Sequence, residues 1–243
     1  MAITLVSQPQ YSIDTPGFEN RAYGASSYAW LAQPAAIKFC KEYGRGFRMP
    51  TGDEIIAFRK AAIGTSEETE AMKYHVSGTT VLYVKNDGVW HMAFDDDENG
   101  LVIARAQKGY DTHAQGKRWT ISSKDADVRA ALKRAEKNNR IVPAPLETIT
   151  LSTTPQENAM SEYGCNAIIK AALPLTSEIN AQTIRKKGHA KGRVYSIRDF
   201  NGIPENHVEI RRLSVGGFLD FGRIGNLIAV DDLINHGRVR PVR

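Results

Sequence analysis

Cysteine is scarce: the 243 residues contain two, Cys40 and Cys165, and neither sits in a CxxC or Cys/His spacing. That excludes a disulfide framework and a structural zinc site, and it fits a reduced compartment. No run approaches the ~18 to 20 consecutive apolar residues that a membrane-spanning helix needs. The opening MAITLVSQPQYS has no basic stretch leading into an apolar one, so neither a membrane partner nor a secretory leader is expected. The expected location is the cytoplasm, or a virion that carries the protein. Phosphate-cradling glycine patterns are missing as well: GGFLDFGRIG (216 to 225) fits neither GxGxxG nor GxxxxGK[ST], and no cofactor is expected. Internal repeats and low-complexity segments are also absent.

What is present is ordinary in amount and uneven in place. A hydrophobic content of 42% suffices for a sizeable core. The net charge is +5, but residues 185 to 243 hold 12 Lys+Arg against 6 Asp+Glu, a net +6, whereas residues 1 to 184 hold 20 against 21. The basic character therefore belongs to the C-terminal quarter, and a cluster of this kind points either to a polyanionic partner or to a solvated face.

Periodicity and punctuation predict an α+β protein with mixed small antiparallel sheets and short helices. ITLVSQ (3 to 8) reads as a strand. PAAIKFCKEYG reads as a helix stopped by Gly44, and Thr51 with Glu54 forms a capping box that opens a second helix after Pro50. Thr65 and Glu68 repeat the box for a shorter one. Between Thr79 and Ala106 the period becomes strand-like: TVLYVK, the turn NDG, VWHMAF, the acidic DDDENG and LVIARA predict a three-stranded antiparallel meander. A helix is expected from Ser122 or Ser123 to about Asn138. Pro143 and Pro145 mark a boundary, giving an N-terminal domain over 1–142 and a basic helix-helix-hairpin domain over 143–243. In the latter, Thr154, Pro155 and Glu157 predict a helix running to Leu173, Pro174 a break, SEINAQTIRKK a second helix, and GRVYSIRDF with HVEIRRLSV a hairpin.

Helix, turn, basic-ended helix and hairpin in that order, over roughly residues 123 to 215, resemble the winged-helix DNA-binding proteins. The resemblance implies phosphate contacts from Arg185, Lys186, Lys187, His189, Lys191, Arg193 and Arg198, with Asn180, Gln182 or Thr183 reading base edges. The alternative is a helical pair on a small sheet, its lysines placed to suit the helix dipole. Three other constellations carry reactive side chains. Asp95, Asp97, Asn99 and Gly100 match the first half of an EF-hand loop, but the twelfth position is Ala106, so the reading favours a solubilising turn and no metal. Cys165 could be a nucleophile with His189 or His207 as base and Asp199 behind it, yet it falls inside a predicted helix with no activating context. His207 and Glu209 share a strand face and could ligate a metal, but no third ligand stands out.

A last pattern concerns AAIKFCKEYGRGFRMPTGDEIIAFRKAA. Its Phe39, Cys40, Gly46, Phe47, Arg48, Met49, Pro50, Thr51 and Glu54 resemble the C-type-lectin-like folds of the formylglycine-generating, sulfatase-modifying kind, over residues 28 to 63. That family's later Gly-Asn-Val-Trp-Glu-Trp run and late cysteine pair are absent, so the oxidation of a sulfatase cysteine is excluded. The resemblance implies a scaffold used for binding proteins and carbohydrates, including in phage and diversity-generating receptors. The expected function is therefore non-enzymatic binding of a macromolecule. Nucleic acid comes first through the basic quarter, in a phage or mobile-element accessory protein. A protein-interaction or virion component on a lectin-like scaffold is the alternative, and a cysteine hydrolase the third.

Overall fold

The computed structural model describes residues 11–12, 22–23, 30–31, 33–71, 73–97, 99–113, 119–145, 149–152, 166–176, 191–195, 200, 202–215, 224–231 and 237–243. In chain order these form β1 (Tyr11–Ser12), β2 (Ala22–Tyr23), β3 (Trp30–Leu31), α1 (Gln33–Tyr43), α2 (Gly52–Ala62), α3 (Glu68–Ala71), β4 (His75–Asn86), β5 (Val89–Asp96) and α4 (Leu101–His113). There follow β6 (Thr120–Ser122), α5 (Ala126–Lys137), β7 (Ile141–Pro143), β8 (Ile149–Ser152), α6 (Ala167–Ala172), β9 (Lys191–Tyr195), β10 (His207–Val215), β11 (Ile224–Asp231) and β12 (Gly237–Arg238). The α+β expectation holds. The predicted strand at 3 to 8 and the second helix of the basic region, 177 to 187, lie outside the described residues.

The architecture is organised by β4. Its first nine residues are all buried, because partners lie on both edges and helices on both faces. Antiparallel β5 and β10 flank it, and β12 touches its start in parallel. One face carries Val81 and Tyr83 with Met92 and Phe94, closed by Ile55 and Ile56 of α2 and Ile168 and Ile169 of α6. The other carries Leu82 and Ala93, closed by Val102, Ile103 and Ala106 of α4 and Val128, Ala131 and Ala135 of α5. The alternation of Val81, Leu82 and Tyr83 between two cores is the period-2 rule applied to a strand with no solvent face. Each large apolar side chain buried this way contributes about 1.5–3 kcal/mol. Along the described sheet the order is β3-β12-β4-β10-β11-β9-β8, with β5 and β7 branching from β4 and β6 pairing with β10. The sheet therefore crosses the boundary expected at 142/143.

Capping chemistry sets the entry to α2 as the sequence predicts. Thr51 Oγ1 accepts from Glu54 N at 3.2 Å, and Glu54 Oε2 accepts from Thr51 N at 2.9 Å. The sequence pattern could not show what else converges there. Arg48 grips both Glu54 oxygens at 2.7 Å, and its backbone exchanges two 2.9 Å hydrogen bonds with Val242. The GFRMPTGDE stretch thus ties α2 to the final residues of the chain. The second box is displaced: Glu68 reaches the Gly64 N–H at 2.8 Å, and Thr65 Oγ1 accepts from Glu67.

Four expectations are corrected. LVIARA is not a third strand but the first turns of α4. Asp97 accepts from Leu101 N and Val102 N at 3.0 and 2.9 Å, and the buried positions 102, 103 and 106 follow helical spacing. The neighbour that β5 gains is β7. The helix near 123 starts at Ala126, because Asp125, not a serine, caps it. The long helix from 155 to 173 is also not continuous. Asn166 is extended and its side chain accepts from Ile168 N and Ile169 N, so α6 begins at 167. Finally, β9 and β10 do not form a hairpin, since β11 lies between them, parallel to β9 and antiparallel to β10. Over the described residues, the winged-helix order therefore lacks both its long first helix and its wing.

Candidate binding surface

At one end of the sheet, three turns converge on an open cleft of about 670 Å³. The β4–β5 turn contributes Lys85, Gly88 and Trp90. The loop ahead of β10 contributes Phe200 and 202 to 206, and the turn after β6 contributes Ser123. The volume lies within the ~300–1,000 Å³ usual for ligand sites. Local sequence explains the shape. Asp87 (φ 48) and Gly88 (φ 80) make the tight two-residue turn that Asn-Asp-Gly encodes. Asn206 (φ 60) turns the chain into β10 while its carbonyl accepts from Ser123 N at 2.8 Å and Ser123 Oγ at 2.9 Å, fixing one turn to another.

Two aromatic rings, Trp90 and Phe200, stand in a lining that is otherwise mostly polar. Trp90 stacks on Phe200 with ring centroids 4.8 Å apart and planes 14° apart, and Tyr83 leans on Phe200 from the core side at 5.6 Å. Lys85 faces Trp90 directly across the β4–β5 ladder. The β4–β10 register ends at Glu209↔Tyr83. Continued by two residues, it brings His207 level with Lys85 on the same face. An indole, an ammonium and an imidazole thus form a row across three strands, where the Tyr83–Met92–Phe94 core meets solvent. His207 Nδ1 lies 3.1 Å from the Glu205 carbonyl oxygen.

Ionisable groups deeper in the protein hold elements together. Arg140 donates to the Ala171 carbonyl at 2.8 Å, to the Ala172 carbonyl at 3.2 Å and to Asp96 at 2.5 Å. Asp96 also accepts from Thr79, whose hydroxyl accepts from Gly52 N. Asp53 Oδ1 accepts from Leu175 N, Thr176 N and Thr176 Oγ1 at 3.2, 3.0 and 2.7 Å. Burial pushes its carboxyl from 3.8 to about 6, against the opposing pull of the Thr176 hydroxyl and Arg140. Arg59, fully enclosed, donates to the carbonyls of Ala71, Lys73 and Val215, and burial lowers it to about 9. Burial likewise pushes the Cys40 thiol up, in keeping with a small core hydrophobe.

Of the described residues singled out from sequence, His207 lines the cleft. Arg185, Lys186, Lys187, His189 and Arg198 lie outside the described residues, as do Cys165, Asn180, Gln182, Thr183 and Asp199. Lys191 and Arg193 lie on β9, between β8 and β11. Glu209 is buried and pairs with Arg211, so the His207/Glu209 couple is divided between a rim and an interior ion pair. The acidic turn is likewise bound up with protein groups: Asp95 with Arg134 at 2.9 and 2.7 Å, Asp97 with the start of α4. Among the described residues no three His, Cys, Asp or Glu side chains gather as a metal site. The basic tail is an internal strap. Val239, Arg240, Pro241 and Val242 are buried, with Arg240 4.2 Å over the Phe58 ring and 2.8 Å from Glu67. Sequence reasoning passed over Trp90 and Phe200. The available signal was an aromatic beside a two-residue turn, and another inside a Gly/Pro/Asn-rich loop.

The overall fold is shared with a solved structure. Described as "Accommodation of massive sequence variation in Nanoarchaeota by the C-type lectin fold", it is similar to this chain with a TM-score of 0.54 and 14% identity, over 92% of this chain and 97% of that one. The chain has a C-type-lectin fold. The resemblance of residues 28 to 63 therefore names the scaffold correctly. The chain matches no family model and no curated protein. At this identity the lectin fold is what is shared. No described helix is long and apolar enough to cross a membrane.

Proposed function

We propose that this protein is a non-enzymatic binding protein that uses its lectin fold to hold another protein at the turn-bearing end of the sheet. The observation that carries the reading is the open cleft itself. Three turns fixed to a doubly covered sheet present two aromatic rings and a polar rim on a rigid base, the arrangement in which binding residues sit on loops and stability resides below. The similar structure is described as accommodating massive sequence variation. Turn residues 87–88 and 202–206 are the proposed counterpart here, since all but the half-buried Ile203 are exposed, with Gly88 and Gly202 kept as glycine by φ values of 80° and 83°. The test is native mass spectrometry after capture on the immobilised full chain. A stable protein complex supports the reading; its absence in extracts of the source organism, with the fold verified, refutes it.

A nucleic-acid partner is a second proposal, resting on the net +6 of residues 185 to 243 and on Arg185, Lys186, Lys187, His189, Lys191, Arg193 and Arg198 as phosphate contacts. Three of the twelve cations behind that surplus are engaged within the fold: Arg211 with Glu209, Arg212 buried beside Tyr74, and Arg240 with Glu67. Binding to duplex and single-stranded DNA across a salt series decides it. A steep fall of log K with log salt is expected, and no binding at low salt ends the proposal.

A further inference from the structure

Resting on the protein-binding reading above, the chemistry of the cleft narrows the partner. We propose that it receives an extended segment of the partner protein that carries a carboxylate next to an aromatic or proline ring. The ring is called for by Trp90. One of its faces is occupied by Phe200, and the residue is only half-buried at the end of the core, so it offers a rigid apolar surface that loses little entropy on binding. The carboxylate is called for by Lys85, exposed and directly cross-strand from Trp90, and by His207 beyond it. A ring laid on the indole places its neighbouring side chain over these two. Glu205, the one acid among the described residues lining the cleft, is exposed, and its carbonyl oxygen lies against His207 Nδ1. It therefore stands on the rim, where it would repel a second carboxylate and set the direction of the segment. Ile203 and Pro204 add apolar atoms to the lining. A volume of about 670 Å³ suits a few residues of a chain better than a flat protein surface.

The test titrates the ¹⁵N-labelled full chain with the blocked peptide acetyl-Gly-Glu-Phe-Pro-Gly-amide at millimolar concentration, beside its glutamine counterpart. Shifts should centre on Lys85, Trp90 and His207, with binding about fivefold weaker for the glutamine peptide, the size expected of an exposed ion pair. Lys85→Glu, a change at an exposed position that leaves the core alone, should weaken the glutamate peptide and not the other. Trp90→Ala should abolish both, with the amide spectrum confirming the fold. Equal binding of the two peptides overturns the carboxylate. No shifts in the cleft overturn the proposal while leaving the captured-complex test of the broader function intact. Shifts there with an oligothymidylate or a methyl glycoside, and none with the peptides, reassign the cleft to another ligand and refute it.

Discussion

Asp53→Asn is expected to stabilise the protein at neutral pH, although it removes a charge from the first turn of a helix. The carboxyl is held by three donors, all on Oδ1, and an asparagine Oδ1 can accept the same three. Burial raises the folded group from 3.8 to about 6, so the folded protein binds the proton more tightly than the unfolded chain. Stability from this residue is therefore fully present below pH 3.8 and lost as pH rises through about 6. At about 1.4 kcal/mol per pH unit, the loss amounts to about 3 kcal/mol between pH 4 and 7. The variant should match the wild type near pH 4 and exceed it above pH 7 by up to that amount. Urea unfolding followed by circular dichroism at intervals from pH 4 to 8 measures the difference, and subtracting the two curves cancels the other titrating groups. A variant less stable than wild type by about 1 kcal/mol or more at pH 7.5 would refute the reasoning, because it would mean that the charge, not the acceptor, holds Leu175 and Thr176.

Two further substitutions probe the joints of the fold. Glu54→Ala removes the capping acceptor and leaves Arg48 without its bidentate partner in a largely buried setting. A loss of about 3–5 kcal/mol in urea unfolding is expected, with Glu54→Gln recovering the cap but only part of the stability. Asn166→Ala deletes the acceptor for Ile168 N and Ile169 N. It should cost about 1 kcal/mol and appear as faster hydrogen exchange confined to the start of α6, whereas unchanged exchange there would contradict the assigned cap.

Legibility in the sequence followed the range over which each feature is decided. The Thr51–Glu54 capping box, the NDG hairpin and the amphipathic face of α5 are set within a few residues, and they are readable. LVIARA misled because Val102, Ile103 and Ala106 suit a strand by composition, and the deciding group, Asp97, is an acid in a turn that looked like a solubilising run. The apparent helix from 155 to 173 carries an acceptable stripe, but Asn166 prefers to cap, and a strong local hydrogen bond overrode the periodic pattern. The pairing of β9 with β11 in parallel, and of Arg48 with Val242, is decided by tertiary packing and leaves no local trace. The same holds for the cleft, whose Trp90, Lys85 and His207 come from three strands and become neighbours only through register. Charge was the least faithful guide, since Arg211, Arg212 and Arg240 raise the formal count of the C-terminal quarter while serving the interior.

The two hydrogen bonds between Arg48 and Val242 also bear on how the chain reaches its native state. A β4–β5 hairpin can form early from adjacent residues, but β10, which covers the other edge of β4, and β12, which pairs with His75 on the β5 side, come from far along the sequence. Until they arrive, a long apolar strand stands with one edge open, the kind of edge that pairs with another molecule. Refolding is therefore expected to be slow and to lose yield as protein concentration rises. Concentration-independent recovery from denaturant would show that β4 is shielded before the chain closes on itself.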